Sequence, residues 1–198
     1  KQCALWERFF TLLSTPPMST LLVSLPTHTV RTYGWYRAGR HVATTRVTEQ
    51  GAELVATTET PSASTRTTTY TDESLDSAAG VALSEAIATG LIASAAEVTV
   101  IAVKVVAPGS YFAHHRVVDE VCLAKLDTLE ALQPATIALV KDEFHNLQME
   151  YPTASVVAMS DSALHATVDR TTQTPSLRAS VDAAGGFQGF AIAAALAR

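Results

Sequence analysis

Histidine is the first residue type in this chain that could do chemistry. There are six: His28, His41, His114, His115, His145 and His165. Only His114 and His115 are neighbours. Metal ligation by histidine alone has little support, since the others are scattered. The adjacent pair reads either as a pH-sensitive element or as ordinary loop residues. Arg116 follows it and reads, on local grounds alone, as a helix-start arginine in a surface ion pair. Ser160, Asp161 and Ser162 follow an apolar run, and all three are good helix-capping types. There is no GxGxxG, Walker A loop, CxxC or HExxH, and the Gly189 region is not a nucleophile elbow.

Composition bounds what these residues can belong to. The chain has 198 residues, 47% of them apolar and 17% charged, with a net charge of −5. Mean hydropathy is +0.18. That length is enough for one domain with a full core. The apolar content argues against a disordered tail, and the acidic balance argues against nucleic acid as a partner. Cys3 and Cys122 are too few for a disulfide framework and fit a reducing, cytoplasmic setting.

Residues 1–17 stand apart, with Trp6, Phe9, Phe10, Leu12 and Leu13 ahead of Pro16 and Pro17. The run is too short to span a bilayer and lacks the pattern of a secretory signal. It reads as an N-terminal extension ahead of a domain covering 18–198, or as a short amphipathic helix. No other stretch is a membrane candidate.

The elements that must position the candidate residues follow from pattern. Residues 20–25 are a short apolar run and predict a buried strand. Residues 29–37 and 41–48, rich in Val, Thr, Tyr and Trp around Ala38 and Gly39, predict a hairpin. Residues 52–58 add a strand. Residues 59–72 are mostly Thr and Ser around Pro61, show no apolar period, and predict a loop. Residues 74–88 predict a helix. Residues 98–106 are the strongest strand, nearly continuous and β-branched. Helices over 118–132 and 135–149, broken at Pro134, a strand over 154–159, and an Ala-rich helix over 183–198 complete the order. The pattern is α/β with a mixed sheet and helices on its faces.

Residues 111–168 resemble the acetate kinase family of short-chain carboxylate kinases. That family has a Gly-His-Arg-Val-Val-His-Gly-Gly segment after a core strand, and this chain has Ala113-His114-His115-Arg116-Val117-Val118 there. Asp119-Glu120-Val121 then opens a helix that runs toward Leu132-Gln133-Pro134. Val157-Ala158-Met159-Ser160-Asp161-Ser162-Ala163-Leu164-His165 stands where the family has Val-Phe-Asp-Thr-Ala-Phe-His. Gly186-Phe187-Gln188-Gly189 stands where it has Gly-Phe-His-Gly. The strand from Leu21 to Leu25 falls at the family's opening phosphate-loop strand.

The resemblance covers roughly 18–198 and only the first half of such an enzyme. It implies an N-terminal, ribonuclease H-like, mixed-sheet α/β domain of the actin, Hsp70 and sugar-kinase superfamily type. The chemistry it implies is phosphoryl transfer between ATP and a short-chain carboxylate, in which positioning and charge neutralisation are the protein's work. Arg116 would hold the carboxylate or acyl phosphate, since a guanidinium fork suits that bidentate task. Asp161 would position Mg²⁺ or the attacking group, and His165 would help bind substrate. Ser24 and Thr27 fall at the phosphate-loop position.

Departures are equally specific. Pro26 removes a backbone N–H where a phosphate loop needs donors. Thr136 and Gln188 stand where the family has histidines. The implied chain is therefore weakly active or inactive alone, with a separate nucleotide-binding half or a homodimer as partner. The alternative is a non-catalytic binding domain that kept the fold.

Overall fold

The structure, a computed structural model, describes residues 19–105, 110–131 and 133–160. Their contacts group them into two compact units. One comprises 19–102 with 143–156. The other comprises the described part of 103–142 with 157–160. Eight strands follow the chain as β1 (Ser19–Thr27), β2 (Val30–Arg37), β3 (Arg40–Gln50), β4 (Glu53–Glu59), β5 (Thr65–Thr71), β6 (Val98–Val105), β7 (Arg116–Val117) and β8 (Ser155–Ser160). The helices are α1 (Ala78–Ala88), α2 (Glu120–Glu130) and α3 (Pro134–Glu150). Hydrogen-bonded strand order is β5-β4-β3-β2-β1-β6-β8-β7. No helix among the described residues is long and apolar enough to cross a membrane.

The first four strands form as their sequences predict. Successive strand side chains point to opposite faces, and one face here is buried. It carries Leu21 and Val23 from β1, Tyr33 and Trp35 from β2, Ala43 and Val47 from β3, and Leu54 and Ala56 from β4. Thr45 and Thr58 are polar residues on that face, as are Ser19 and Arg31. Trp35 Nε1 donates to Thr45 Oγ1 at 3.1 Å, and Thr45 Oγ1 lies 3.0 Å from Thr58 Oγ1. The ladder satisfies these buried polar groups across three strands. Ala38 and Gly39 both take positive φ in the two-residue turn between β2 and β3, the twist such hairpins favour.

Helix α1 packs on β3 and β4 through Ala78, Ala79, Val81, Ala82 and Ala86. The small side chains let it lie close to the sheet. It ends in a Schellman motif at Gly90, whose φ is +71°. Gly90 N–H donates to Ile87 O at 3.0 Å and Leu91 N–H to Ala86 O at 2.9 Å, which satisfies the last carbonyls.

In the second unit, Asp119 N-caps α2 by accepting from Cys122 N at 2.8 Å. Lys141 on α3 bridges Asp127 and Glu130 on α2, at 2.6 and 2.8 Å. Pro134, expected only as a break, is itself the first residue of α3. The first helical N–H has no intrahelical acceptor, so proline costs nothing there.

One expectation fails. Residues 59–72 were expected to form a loop, yet 65–71 pair antiparallel with β4, from Glu59↔Thr65 to Glu53↔Thr71. The reason is the strand's place at the sheet edge. An outer strand needs no buried face, so no apolar alternation marks it, and threonine's stiff β-branched side chain suffices. The expected N-terminal extension, 1–17, and the Ala-rich helix, 183–198, lie outside the described residues.

Candidate functional site

Arg116 lies in the second unit. The short strand β7 pairs antiparallel with β8, Arg116 opposite Ala158 and Val117 opposite Val157. Arg116 is thus paired with the strand whose sequence leads directly into Asp161. Its Nε donates to Tyr111 O at 3.1 Å, and its guanidinium carbon lies 4.7 Å from the Tyr111 ring centroid. Tyr111 in turn packs edge-on against the buried Phe112, centroids 5.0 Å apart. A cation stacked on a ring and tethered to a carbonyl is held in place without having its charge neutralised. Among the described residues no carboxylate forms an ion pair with Arg116, so the expected surface ion pair is not formed within them.

The surroundings of Arg116 are partly dry. Burial pushes the Cys122 thiol up to about 11, the Asp119 charge adds to that, and Arg116 opposes it. Burial, then Cys122 and Asp119, raise the Tyr111 phenol in the same way, again against Arg116. A buried thiol held protonated is no nucleophile. His114 and His115 are exposed side by side. Local desolvation first, and His114 second, hold His115 below the ordinary histidine range.

Ser24 and Thr27 lie in the first unit, at the end of β1. Ser24 pairs with Thr32, Thr27 pairs with Val30, and the register shifts between them. Pro26 occupies that irregularity, where a missing N–H breaks no ladder bond. The turn is His28-Thr29. Thr29 N–H donates to Thr27 Oγ1 at 3.3 Å. The carbonyls of Thr27, His28 and Val30 accept from Arg31 Nη1 at 3.3, 3.5 and 3.3 Å.

Arg31 belongs to a buried network that local sequence reading passes over. Its Nε lies 3.2 Å from Glu143 Oε2 on α3, with side-chain exposures of 6% and 1%. Tyr33 OH donates to Glu143 Oε1 at 2.9 Å. Burial raises the Glu143 carboxyl, while Tyr33 and Arg31 pull it back down. A sequence signal existed: Glu143 lies on the helical stripe of Ile137, Val140, Phe144 and Leu147, which is otherwise apolar. A charge on such a stripe needs a buried partner.

Asp161 and His165 lie outside the described residues. Among the described residues no three or more His, Cys, Asp or Glu side chains gather to hold a metal ion. The Mg²⁺ assignment rests on the resemblance at Asp161.

No family profile matches the sequence, and no curated protein matches it. Solved structures do. A propionate kinase from Francisella tularensis subsp. tularensis SCHU S4 superposes with a TM-score of 0.66 at 14% identity, over 78% of this chain and 39% of its own. Acetate kinase from Porphyromonas gingivalis gives a TM-score of 0.71 at 17% identity, over 87% and 45%. Acetate kinase from Entamoeba histolytica gives 0.59 at 17%, over 79% and 38%. The matched chain spans less than half the length of each of these enzymes. At such identities the likeness is one of fold, a mixed α/β domain like the matching part of these kinases. The chain is thus an acetate-kinase-like α/β domain in fold.

Proposed function

We propose that this chain is the carboxylate-handling lobe of an acetate-kinase-type phosphotransferase, weak or inactive by itself. Arg116 carries the reading. Its charge is anchored by Tyr111, and no carboxylate of the described residues neutralises it. That leaves a guanidinium free to grip a carboxylate or acyl phosphate by its outer N–H groups. By the resemblance, Asp161, three residues beyond the Arg116 partner Ala158 in sequence, serves as the Mg²⁺ or nucleophile-positioning carboxylate, with His165 as a further substrate contact. In the reaction a carboxylate oxygen bonds to the γ-phosphorus of ATP as the bond to ADP breaks. A separate nucleotide-binding half would supply the ATP site. A reducing, cytoplasmic setting suits the free, buried Cys122 thiol.

The alternative, a binding domain that kept the fold, is favoured by the β1–β2 turn. Pro26 has no N–H, Thr29 N–H is engaged by Thr27, and three carbonyls face Arg31. A phosphate cradle needs free N–H groups aimed at the anion.

Calorimetric titration of acetyl phosphate into the full chain, beside a coupled acetyl phosphate assay, tests both. Binding that is lost in Arg116→Gln, with little or no turnover, is the expected result. Absence of binding overturns the lobe reading. Turnover that disappears in Asp161→Asn overturns the inactive reading.

A further inference from the structure

Arginine carries its N–H donors at the end of a long, rotatable stem. At Arg116 two contacts restrain that stem, and one residue supplies both. Nε donates to Tyr111 O at 3.1 Å. The guanidinium carbon sits over the Tyr111 ring, 4.7 Å from its centroid. Tyr111 is itself held. Its ring meets Phe112 edge-on at 84°, centroids 5.0 Å apart, and Phe112 is fully buried. Both belong to a short 3₁₀ helix, Ser110–Ala113. The restraint therefore comes from outside β7, the two-residue strand that carries Arg116.

The bond to Tyr111 O also decides which edge of the guanidinium is left. A carboxylate meets arginine side-on, across Nε and one Nη, or end-on, across both Nη. Nε is already spent on the carbonyl, so the end-on edge remains. Tyr111 O is the hydrogen-bond acceptor that the described residues give Arg116. Two parallel N–H···O bonds from the end-on edge suit a group with two oxygens on one atom, a carboxylate or a phosphoryl group. An arginine fixed beforehand also loses less side-chain freedom when that group arrives.

Resting on the reading of Arg116 as the anion grip, we infer that Tyr111 is its positioning residue: carbonyl and ring together aim the paired Nη groups end-on at a two-oxygen anion.

Calorimetric titration of acetyl phosphate into full-length variants at position 111 tests this. All of them keep the backbone carbonyl, so only the ring changes. Tyr111→Phe should bind as the parent does. Tyr111→Leu should bind roughly tenfold more weakly. A heavily fluorinated phenylalanine at 111 keeps the shape of the ring but removes the negative charge of its face, and should bind as weakly as Tyr111→Leu. A ring that merely packs would make the fluorinated and plain phenylalanine variants equal, even where the leucine variant fails to fold. In the free chain, Arg116 Nε–H followed by NMR should show a ring-current shift in the parent and in Tyr111→Phe. Absence of that shift in the parent overturns the inference. Equal binding by the plain and fluorinated phenylalanine variants, with Arg116→Gln still abolishing it, overturns the inference and leaves the lobe reading standing. A parent chain that binds no acetyl phosphate overturns the lobe reading, and the positioning role falls with it.

Discussion

Arg31 and Glu143 are 112 residues apart in sequence and form a buried ion pair, Nε to Oε2 at 3.2 Å. The pair ties strand β2 to helix α3. Through Nη1 it also gathers the carbonyls of the β1–β2 turn. One buried side chain therefore both joins β2 to α3 and crosslinks the carbonyls of the β1–β2 turn.

Breaking that pair from one side should be costly. Glu143→Ala leaves the Arg31 charge and the Tyr33 hydroxyl buried without their acceptor. The expected loss is about 3–5 kcal/mol in urea unfolding. Replacing both partners, Arg31→Met with Glu143→Leu, should recover most of it, because no charge is then left stranded. A double variant as unstable as the single one would show that packing, not charge, dominates.

The Asp119 cap and the Cys122 thiol can be separated. Asp119→Ala removes the acceptor for Cys122 N–H and should cost about 1 kcal/mol, with Asp119→Ser largely restoring stability. Cys122 is fully buried and its thiol is pushed up to about 11. It should resist aromatic disulfide reagents in the native state and react on unfolding. Rapid modification of Cys122 in native protein would contradict the burial.

Alkali should unfold the protein through its tyrosines. Burial raises Tyr33 and Tyr151 above the ordinary phenol value, and Tyr70 from 10.0 to about 12. In the unfolded chain each ionises near its ordinary value, so above it the unfolded state binds fewer protons and gains. The stabilisation is complete below that value and is lost as pH rises toward the folded one, for Tyr70 between 10.0 and about 12. Melting temperature should hold near pH 8 and fall once pH passes about 10. Tyrosinate absorbance should appear together with unfolding. A melting temperature that is flat across that range would show these phenols are not held protonated.

Much of the frame was legible in advance. Strands β1 to β4 and helix α1 bury one face, and burying one face writes a period into the chain. The Asp119 cap was legible because its partner is three residues away. Strand β5 was not, because an edge strand of threonines leaves no apolar period to read. The resemblance carried by the stretch around Arg116 pointed to the fold that the solved kinases share.

What the sequence determined by itself is therefore whatever depends on neighbours along the chain: strand and helix periods, caps, the proline at the start of α3, and Tyr111 near Arg116. What only the tertiary structure decided is which charges meet. Glu143 looks like any helical glutamate until α3 lies against β2, and Arg31 looks like any strand arginine. Arg116 looked ready for an ion pair, and among the described residues it has none. Coulomb and desolvation energies depend on distance and burial in space, and neither is written in the order of residues.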